Sequence, residues 1–427
     1  MLDINLIREN PEIVKADLKK RGDKESLKKL KELIEKDKKW RQLKYDFQNI
    51  KSEKNSISKE ISERKKQGKK ADDLLKKLKD IPQKIEWFSA EIGKLKEDID
   101  SILMDLPNIL HESVPVGKDD TENELVRQWG KKPDFRFKPK SHVDLLEQLD
   151  IADTERAAKV AGSRFYYLKG DLVMLDFALQ QFALDILRGK GFIPVYPPFM
   201  MNRKAYEGVT DLGDFQEVMY KIEDEDLYLI ATSEHPLTAM HMDETIEPED
   251  LPIKYAGLSA CFRKEAGAHG KDQKGIFRVH QFTKVEQIIF SKPAESWKHH
   301  EELLKNAEEI FQKLGLPYRI VNICTGDIGT VAAKKYDLEV WMPVQDAYRE
   351  AVSCSNCTDY QARRLNIREG KEGGEKEMLH TLNSTAVATG RTMVAIIENF
   401  QNQDGSINIP KVLQPYMNGL KIIKSRK

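Results

Sequence analysis

The stretch CFRKEAGAHGKDQKGIFRVHQFTKVE, residues 261–286, decides how the second half of this chain is interpreted. Apolar and polar residues alternate at both of its ends, as they do in half-buried strands, and small or charged residues fill the middle. The pattern predicts two antiparallel strands joined by a charged loop. Two explanations of that charge are open: a solvated hairpin tip, or a loop that grips a phosphate-bearing substrate.

The charged residues near the two strand ends form a candidate binding site. Arg263 and Glu265 are two apart, so on a strand both side chains face the same way. Arg278 is predicted to open the return strand, on which Phe282 and Glu286 share a face. A guanidinium pairs bidentately with phosphate or carboxylate oxygens, and an aromatic ring can stack on a base. Each pair taken alone is also explained by an exposed ion pair, which contributes under about 1 kcal/mol.

The rest of the second half predicts a mixed α+β domain. Residues 171–191 and 293–315 have a helical period and end at glycines, which commonly stop helices. Many consecutive strand-like segments with few crossover helices favour an antiparallel sheet over a doubly wound one. These segments are residues 192–198, 227–232, 255–262, 277–290, 318–323 and 337–343.

From about residue 27 to residue 102 the pattern changes to heptads. Apolar residues recur three and four apart in two runs, which the glycine-containing stretch KKQGKKADD separates. This spacing predicts an antiparallel intramolecular coiled coil, and Pro82 is expected to kink its second helix. Each helix would be roughly 45–60 Å long, which favours a projecting arm. The seam positions are Leu33, Lys36, Trp40, Leu43, Phe47, Ile50, Lys54, Ile57 and Ile61, then Leu74, Leu78, Ile81, Ile85, Phe88, Ile92, Leu95, Ile99 and Ile102.

The tip of this predicted hairpin is basic. Residues 59–79 hold nine lysines or arginines against four acids, although the whole chain has a net charge of +0. A solvated coiled-coil end is one explanation. The other is contact with a nucleic-acid backbone, in which each neutralised phosphate adds salt-dependent affinity.

The bulk composition indicates the cellular context. A chain of 427 residues is long enough for two or three domains with a sizeable core. Residues 1–25 predict one short helix, and residues 106–124 predict a linker. Four cysteines do not make a disulfide framework, the charged start has no apolar signal region, and no stretch approaches a membrane span. A cytoplasmic protein without membrane contact is therefore expected.

Several common catalytic motifs are missing from the sequence. It has neither a Walker phosphate loop nor a G-x-G-x-x-G after a strand. Cys354 and Cys357 form a C-x-x-C, but a zinc site needs a second pair, and Cys261 and Cys324 stand alone. Buried thiols are the better interpretation of all four. No Ser/His/Asp order stands out for nucleophilic catalysis.

Several long motifs, in order, resemble those of seryl-tRNA synthetases. The opening stretch is similar to motif 2 of class II aminoacyl-tRNA synthetases, CFR-x-EAG…RVHQF-x-KVEQ. KGFIPVYPPFM, residues 190–200, resembles motif 1, and TLNSTAVATGRTMVAIIENFQ, residues 381–401, resembles motif 3. The start LIRENPE and the junction LPNI-x-H-x-SVPVG match the family as well. The resemblance covers essentially the whole chain.

This resemblance implies an α+β fold of the class II type. An antiparallel β-sheet core is flanked by helices and preceded by an N-terminal antiparallel α-helical coiled-coil arm. Residues 1–110 would form the tRNA-binding domain, and residues 111–427 the catalytic domain. The family activates L-serine with ATP, releases pyrophosphate and transfers serine to the 3′ end of tRNA(Ser). A homodimer is also implied, whereas charging of tRNA(Sec) stays open.

The resemblance also assigns ATP and metal contacts. Arg263 and Arg391 would be catalytic: Arg263 contacts the α-phosphate and the serine carboxylate, and Arg391 holds the γ-phosphate. Phe282 would stack on adenine against Arg391. Glu350 and Ser353 would hold Mg²⁺, which prefers oxygen ligands. The implied ATP-binding set is Arg263, Lys264, Glu265, Arg278, Val279, Phe282, Glu350, Ala351, Val352, Ser353 and Arg391.

Contacts with serine and tRNA follow from the same resemblance. The ammonium and hydroxyl groups of serine both need buried polar partners, which carboxylates and hydroxyls provide. The implied serine-binding set is Thr232, Ser233, Glu234, Glu286, Asn383 and Thr385. The basic tip would bind the long variable arm of serine tRNA by its shape and backbone. The lysines implied in that contact are Lys65, Lys66, Lys69 and Lys70.

Two departures from the family pattern affect the site. Val352 stands where the family usually has the first of two serines, and Ser384-Thr385-Ala386 replaces a common Gly-Ser-Gly, although Thr385 keeps a hydroxyl. Lys271, Asp272 and Lys274 are expected to belong to a mobile loop tip.

Two alternative functions compete with the synthetase. A non-catalytic RNA-binding relative is disfavoured by the intact set of charged residues in the motifs. A ligase that loads a carrier protein is disfavoured by the full arm.

Overall fold

The structure is a computed structural model and describes residues 1–210, 218–265, 274–371 and 373–425. The chain divides into two compact units, Met1–Pro107 and Asn108–Lys427. None of the helices in the described residues is long and apolar enough to cross a membrane.

The first unit is helical. The single helix predicted for residues 1–25 is two helices, because Asn10 precedes Pro11 and is held outside the helical region at φ −136° and ψ 57°. Pro11 then opens the second helix, where its missing N–H costs no hydrogen bond. The helices are α1 (Ile4–Glu9), α2 (Pro11–Lys20), α3 (Lys24–Lys66), α4 (Asp72–Lys79) and α5 (Ile81–Asp105).

Helices α3, α4 and α5 form the predicted antiparallel hairpin. Lys29 pairs with Asp105 at 3.0 Å and Lys36 with Asp98 at 2.5 Å, so residue numbers rise on one helix as they fall on the other. Further along, the rings of Phe47 and Phe88 have centroids 6.4 Å apart. The contacts confirm a helical hairpin that closes on itself within one chain.

The seam of the hairpin follows the predicted heptads with two corrections. Every predicted seam residue is buried or half-buried except Lys54, whose ammonium stays in water because removing it would cost solvation. Pro82 does more than kink a helix. Helix α4 ends at Lys79 and α5 begins at Ile81, so that Pro82 occupies the first turn of a new helix and disrupts no hydrogen bond.

The second unit is built on an eight-stranded sheet. Its order within the described residues is β1-β5-β6-β7-β8-β4-β3-β2, antiparallel throughout except for the parallel pair β2 and β3. The strands are β1 (Glu124–Trp129), β2 (Ile193–Val195), β3 (Ile253–Phe262), β4 (Gln281–Ser291), β5 (Tyr318–Asn322), β6 (Lys334–Met342), β7 (Ala347–Asn356) and β8 (His380–Ala388). The predicted antiparallel core is confirmed.

The remaining elements of this unit are helices and short strands. Its helices are α6 (His142–Leu149), α7 (Thr154–Ala161), α8 (Asp171–Arg188), α9 (Arg203–Val209), α10 (Glu234–Ala239), α11 (Ser296–Leu314), α12 (Tyr360–Leu365) and α13 (Thr389–Asn399). Two-residue strands lie at Ala152–Asp153, Tyr167–Leu168, Met200–Met201, Tyr228–Leu229, Thr245–Ile246, Arg368–Glu369, Glu377–Met378, Ile407–Asn408 and Ile422–Ile423. Short 3₁₀ turns lie at Asp120–Glu122, Pro248–Asp250, Pro293–Glu295 and Lys411–Met417.

Three sequence predictions need correction in this unit. The predicted linker 106–124 is tied to the second unit, because the Asn108 and His111 backbone N–H groups donate to the carbonyls of Thr330 and Ala333 at 2.8 and 2.9 Å. Strands β1, β7 and β8 were not among the predicted strand segments. The return strand begins at Gln281 rather than at residue 277.

The main core lies on one face of the sheet. Side chains from α6, α8, α11 and α13 pack there against alternate strand residues such as Val285, Val352 and Leu382, which are fully buried. Because successive strand residues point to opposite faces, the residues between them point away from this core. The opposite face is therefore where polar side chains such as Glu286, Ser353 and Asn383 converge.

Candidate active site

That opposite face forms the floor of a cavity of about 450 Å³. Strands β3, β4, β6, β7 and β8 lie side by side beneath it, so residues far apart in sequence become neighbours. The sequence-predicted residues that line it are Thr232, Glu234, Arg263, Glu265, Arg278, Val279, Phe282, Glu286, Glu350, Ala351, Ser353, Asn383, Thr385 and Arg391. The predicted serine and ATP residues thus largely meet in one place.

Three predicted residues do not line the cavity. Val352 belongs to the buried core, because strand alternation turns it away from the face that carries Ser353. Ser233 is fully buried, and its hydroxyl donates to the Gly257 carbonyl at 3.3 Å. Lys264 is exposed, and its backbone N–H donates to the Val218 carbonyl at 2.9 Å. The valine at 352 therefore does not remove a side-chain contact from the cavity.

Two buried carboxylates occupy the end of the cavity predicted to hold serine. Glu286 forms an ion pair with Lys284 and accepts a hydrogen bond from Thr385 Oγ1 at 3.3 Å. Glu234 Oε1 accepts a hydrogen bond from Asn383 Nδ2 at 3.0 Å. The Glu234 backbone N–H donates to Thr232 Oγ1 at 3.1 Å. Five of the six residues predicted to bind serine thus fall into two hydrogen-bonded groups, Glu286 with Thr385 and Glu234 with Thr232 and Asn383.

Burial perturbs the ionisation of these groups. It raises the pKa of Glu234 to about 7, and the neighbouring Glu286 adds to that rise while Lys284 opposes it. Burial also raises the pKa of Glu286, again against the effect of Lys284. The imidazole of His235 beside them stays neutral, because burial lowers its pKa to about 3. Because these two neighbouring carboxylates are shielded from water, they strongly favour a cationic ligand.

Arg263 lines the cavity as well. Its Nε donates to the Ala231 carbonyl at 3.2 Å, and its guanidinium lies 5.4 Å from the ring of Phe282. The Arg263 backbone N–H donates to the His280 carbonyl at 2.9 Å. His280 Nδ1 in turn donates to the Arg263 carbonyl at 2.8 Å, since a carbonyl can only accept. Both the N–H and the carbonyl of the Arg263 backbone are therefore hydrogen-bonded to His280.

The predicted alternation of Arg263 and Glu265 on one strand is wrong. Strand β3 ends at Phe262, and Glu265 has a left-handed backbone with φ 49°. Arg278 likewise precedes β4 instead of opening it. The two charged side chains still meet, because Arg278 Nη1 lies 3.0 Å from Glu265 Oε2. Lys271 and Asp272, predicted to be part of a mobile tip, lie outside the described residues.

Arg391 and Glu350 form a third ion pair in the lining of the cavity. Arg391 Nη1 lies 3.3 Å from Glu350 Oε2 and donates to the Glu350 carbonyl at 2.9 Å. Arg391 lowers the pKa of Glu350 for this reason. The guanidinium of Arg391 lies 5.5 Å from the ring of Phe277, so the ring that it contacts in this structure is Phe277.

Two acidic side chains, Asp337 and Glu350, come from the same pair of strands as Ser353. Asp337 lies opposite Ser353 in the β6–β7 ladder, and burial raises the pKa of this aspartate. Asp337 Oδ1 is buried and has no hydrogen-bond partner within the described residues. Among those residues, no group of three histidine, cysteine or acidic side chains forms a metal cluster. Glu350 and Ser353, which both line the cavity, offer a carboxylate and a hydroxyl of the kind that suit Mg²⁺ together with ligand oxygens.

Sequence reasoning missed several residues of the site. Lys284 lies two positions before Glu286, so strand alternation could have placed it in the cavity. Lys335 lines the cavity from β6, a strand predicted to start only at residue 337. The wall formed by residues 328–332 carries no periodic or motif signal that would have predicted it.

A second charged surface lies at the turn of the helical hairpin in the first unit. Gly68, at φ 69°, ends α3 with N–H groups of residues 68 and 69 returning to the carbonyls of Lys65 and Arg64. The four predicted lysines, Lys65, Lys66, Lys69 and Lys70, are all exposed. Within the part of the chain that the structure describes, none of the four makes an ion pair, whereas the nearby Arg64 pairs with Glu60 and Asp73.

Two family models match the chain. The seryl-tRNA synthetase N-terminal domain matches residues 1–110, and the tRNA synthetase class II core domain (G, H, P, S and T) matches residues 220–400. Among curated relatives, the serine--tRNA ligase of Methanocella arvoryzae is 57% identical over 425 residues, covering 99% of this chain and 100% of that protein. The serine--tRNA ligase of Methanoculleus marisnigri is 58% identical over 421 residues, covering 98% and 99%.

Solved structures agree with the sequence relatives. Pyrococcus horikoshii seryl-tRNA synthetase complexed with ATP has a TM-score of 0.97 at 53% identity, with complete coverage of both chains. The cytoplasmic serine-tRNA ligase of Naegleria fowleri in complex with AMP has a TM-score of 0.92 at 40% identity, covering 100% of this chain and 99% of that one. On these matches and on the geometry of its cavity, the chain belongs to the seryl-tRNA synthetase family of class II aminoacyl-tRNA synthetases.

Proposed function

We propose that this chain is a serine--tRNA ligase that activates L-serine with ATP and transfers it to the 3′ end of tRNA(Ser). The observation that carries this proposal is the single cavity that joins the Glu234 and Glu286 carboxylates to the guanidinium groups of Arg263 and Arg391. The Glu234 and Glu286 carboxylates suit an amino-acid ammonium, and the two guanidinium groups suit phosphates. Family membership gives this chemistry its specific form.

In the first step the serine carboxylate attacks the α-phosphorus, a P–O bond forms, and the bond to pyrophosphate breaks. Both reactants are anions, so cations must offset their repulsion and the charge that develops. Arg263 lies beside Phe282 and near the serine end, where it can contact the carboxylate and the α-phosphate together. Arg391 suits the γ-phosphate, and binding of that phosphate would release it from Glu350.

In the second step a terminal hydroxyl of the tRNA attacks the seryl carbonyl, and AMP leaves as the mixed anhydride breaks. Both steps use the same bound seryl group. The chain's role is therefore to hold the seryl group in position while pyrophosphate leaves in the first step and AMP leaves in the second. This is catalysis by positioning.

Serine selectivity follows from the polar lining of the amino-acid end. Glu286, Thr385 and Asn383 present hydrogen-bonding groups that alanine would leave unpaired. Pockets of this kind reject the analogue that lacks a hydroxyl by up to about 10⁴-fold. The extra methyl of threonine would be rejected by crowding in a well-packed pocket, at about 1–3 kcal/mol.

Glu350 and Ser353 would hold Mg²⁺ together with ATP. The bound ion would neutralise phosphate charge and orient the phosphate oxygens. The support is that the Glu350 carboxylate and the Ser353 hydroxyl line the same cavity as Arg391. Arg391 and Lys335 both favour the ionised form of Glu350, which is the form that binds a cation.

The exposed tip lysines would bind tRNA. Lys65, Lys66, Lys69 and Lys70 extend their ammonium groups into solvent, and several such groups together bind a phosphate backbone. The proposed domain roles are tRNA binding by residues 1–110 and catalysis by residues 111–427. Whether tRNA(Sec) is charged in addition to tRNA(Ser) is decided by direct assay of both.

A homodimer accounts for an exposed apolar surface at the edge of the sheet. Phe177 of α8, Ile193 of β2 and Tyr196 are 56%, 58% and 72% exposed. Strand β2 ends the sheet, so both its edge and these side chains lack a covering element within the described residues. A second copy of the chain would remove this apolar area from water.

The four cysteines are free and buried, which fits our proposal of a reducing cytoplasm.

ATP–pyrophosphate exchange with a panel of amino acids tests the function directly. We expect serine to support ATP–pyrophosphate exchange. We also expect serine to be attached to tRNA when tRNA is added. A chain that binds RNA without any exchange would be the non-catalytic relative, and exchange without charging of tRNA would indicate a carrier-protein ligase. Either result overturns the proposal.

A further inference from the structure

Glu234 is held by two amide groups, only one of which reaches the cavity. Asn383 Nδ2 donates to Glu234 Oε1 at 3.0 Å, and Gln361 Nε2 donates to the same oxygen at 3.1 Å. Asn383 lines the cavity, whereas Gln361 is 1% exposed and lies outside its lining. Gln361 therefore cannot contact a substrate in this structure, and any effect that it has on one must act through Glu234.

The amide of Gln361 can point only one way. The Val209 carbonyl can only accept, so the amide nitrogen must face it, and Thr381 Oγ1 donates to Gln361 Oε1 on the opposite side at 2.6 Å. That nitrogen uses its two protons on Glu234 and on the Val209 carbonyl, the latter at 2.9 Å. All donors of the amide are satisfied, so a flipped amide would leave buried groups unpaired.

The helix that carries Gln361 is itself fixed. Arg364, one turn later on α12, donates from Nη1 to the carbonyls of Glu207 and Thr210 at 3.1 and 2.7 Å. These carbonyls and that of Val209 belong to the end of α9, where helical carbonyls have no partner within the helix. Gly208 packs so closely that a Cβ there would lie 2.3 Å from Leu365 Cδ2. Helices α9 and α12 thus hold Gln361 against Glu234.

We propose that Gln361 is a positioning residue that keeps Glu234 ionised and aimed at the ammonium group of serine. The inference rests on the proposed function, since serine supplies the ammonium. Burial favours the neutral carboxyl, whereas an N–H donor stabilises the anion. The other charged or titratable groups that influence Glu234 or are influenced by it are Glu286 and Lys284 on β4, Arg263 after β3, Cys357 after β7 and Tyr206 on α9. The neighbouring His235 on its own helix is neutral.

The first test is Gln361→Met, which keeps the volume and removes the donor. It should raise the KM for serine in ATP–pyrophosphate exchange about tenfold while kcat and the KM for ATP stay unchanged, because one hydrogen bond to a charged group is lost. Gln361→Glu keeps an acceptor for Thr381 but puts a second negative charge beside Glu234. Its serine KM should begin to rise at a higher pH than in the native protein.

Gln287 provides a matched control. It is fully buried, donates to the Leu303 carbonyl at 3.2 Å and accepts from Asn306 Nδ2 at 2.9 Å, but it faces α11 instead of the cavity. Gln287→Met should lower stability comparably and leave the KM for serine unchanged.

Equal changes in the Gln361→Met and Gln287→Met variants, or a native serine KM and pH profile in the Gln361 variants, would overturn the inference. If Gln361→Met does not fold, Gln361→Asn withdraws the amide from Glu234 and is measured in its place. Failure of the proposed function is distinct, because the native chain would then show no serine-dependent exchange.

Discussion

The helical hairpin and the cavity use similar charged residues in opposite surroundings. The Lys36–Asp98 pair of the hairpin has side chains that are 26% and 38% exposed, whereas those of Lys284 and Glu286 in the cavity are 8% and 2% exposed. Water and salt screen the first kind of pair, and neighbouring side chains control the second. A charge on the hairpin is therefore available to a large anionic partner, and we propose that a charge in the cavity selects a small ligand.

The largest effect should come from the cavity. Arg263→Ala removes the guanidinium beside Phe282 and should lower kcat/KM for serine-dependent exchange by about 10³-fold, because a preorganised cation at the reacting phosphate is lost. Arg127→Ala is the control, since Arg127 makes a bidentate pair with Glu308 away from the cavity. Steady-state exchange kinetics measure both, and a native rate for Arg263→Ala would contradict its assignment.

The hairpin should respond in tRNA affinity. Changing Lys65, Lys66, Lys69 and Lys70 together to glutamate should weaken tRNA binding at least about 100-fold and lower the salt dependence by roughly one unit of slope per lysine. Equilibrium binding over a series of salt concentrations measures the slope.

A matched variant changes four exposed lysines of α3 that make no ion pair among the described residues. These are Lys28, Lys31, Lys38 and Lys39. It keeps the same overall charge change, so equal losses in the two variants would show that total charge, and not the tip, determines binding.

Acid should weaken serine binding. The pKa of Glu234 is raised by burial from an ordinary 4.5 to about 7, so its anionic fraction falls as the pH drops below that value. Because serine's ammonium pairs with the anion, the KM for serine should rise up to about tenfold per pH unit below pH 7 and stay level above it. Without bound serine, the raised pKa of Glu234 means that the folded state holds this proton more tightly than the unfolded state. The free energy of unfolding should therefore fall as the pH rises from about 4.5 to about 7.

Exchange kinetics between about pH 5.5 and 8.5 check this behaviour. Glu234→Gln, which cannot titrate, should bind serine poorly at every pH and show a flatter profile. A native serine KM that is unchanged down to the acid limit would exclude Glu234 as the titrating partner.

The smallest effect should come from a hairpin ion pair. Asp98→Asn breaks the pair with Lys36 and should change the free energy of unfolding by less than about 1 kcal/mol. Leu33→Ala, at a fully buried position of α3, should lower the free energy of unfolding by about 2–5 kcal/mol. Denaturant unfolding compares the two variants. A larger loss from Asp98→Asn than from Leu33→Ala would reverse the proposed difference between screened and buried interactions.

The sequence predicted what depends on regular periods. Heptads placed the hairpin seam, and period-two alternation placed Phe282 and Glu286 on one face, which the cavity confirms. Local backbone departures were not predictable, because Glu265 adopts a left-handed conformation that is uncommon for any residue except glycine. Gln361 was missed because its contact with Glu234 depends on how α12 packs, which no local pattern encodes.

We propose that the cavity activates serine and that the hairpin tip recognises tRNA, as separate functions. The most direct test measures both activities on one protein, the variant with Lys65, Lys66, Lys69 and Lys70 changed to glutamate. We expect native serine-dependent ATP–pyrophosphate exchange together with loss of tRNA charging. An equal fall in both activities would contradict it.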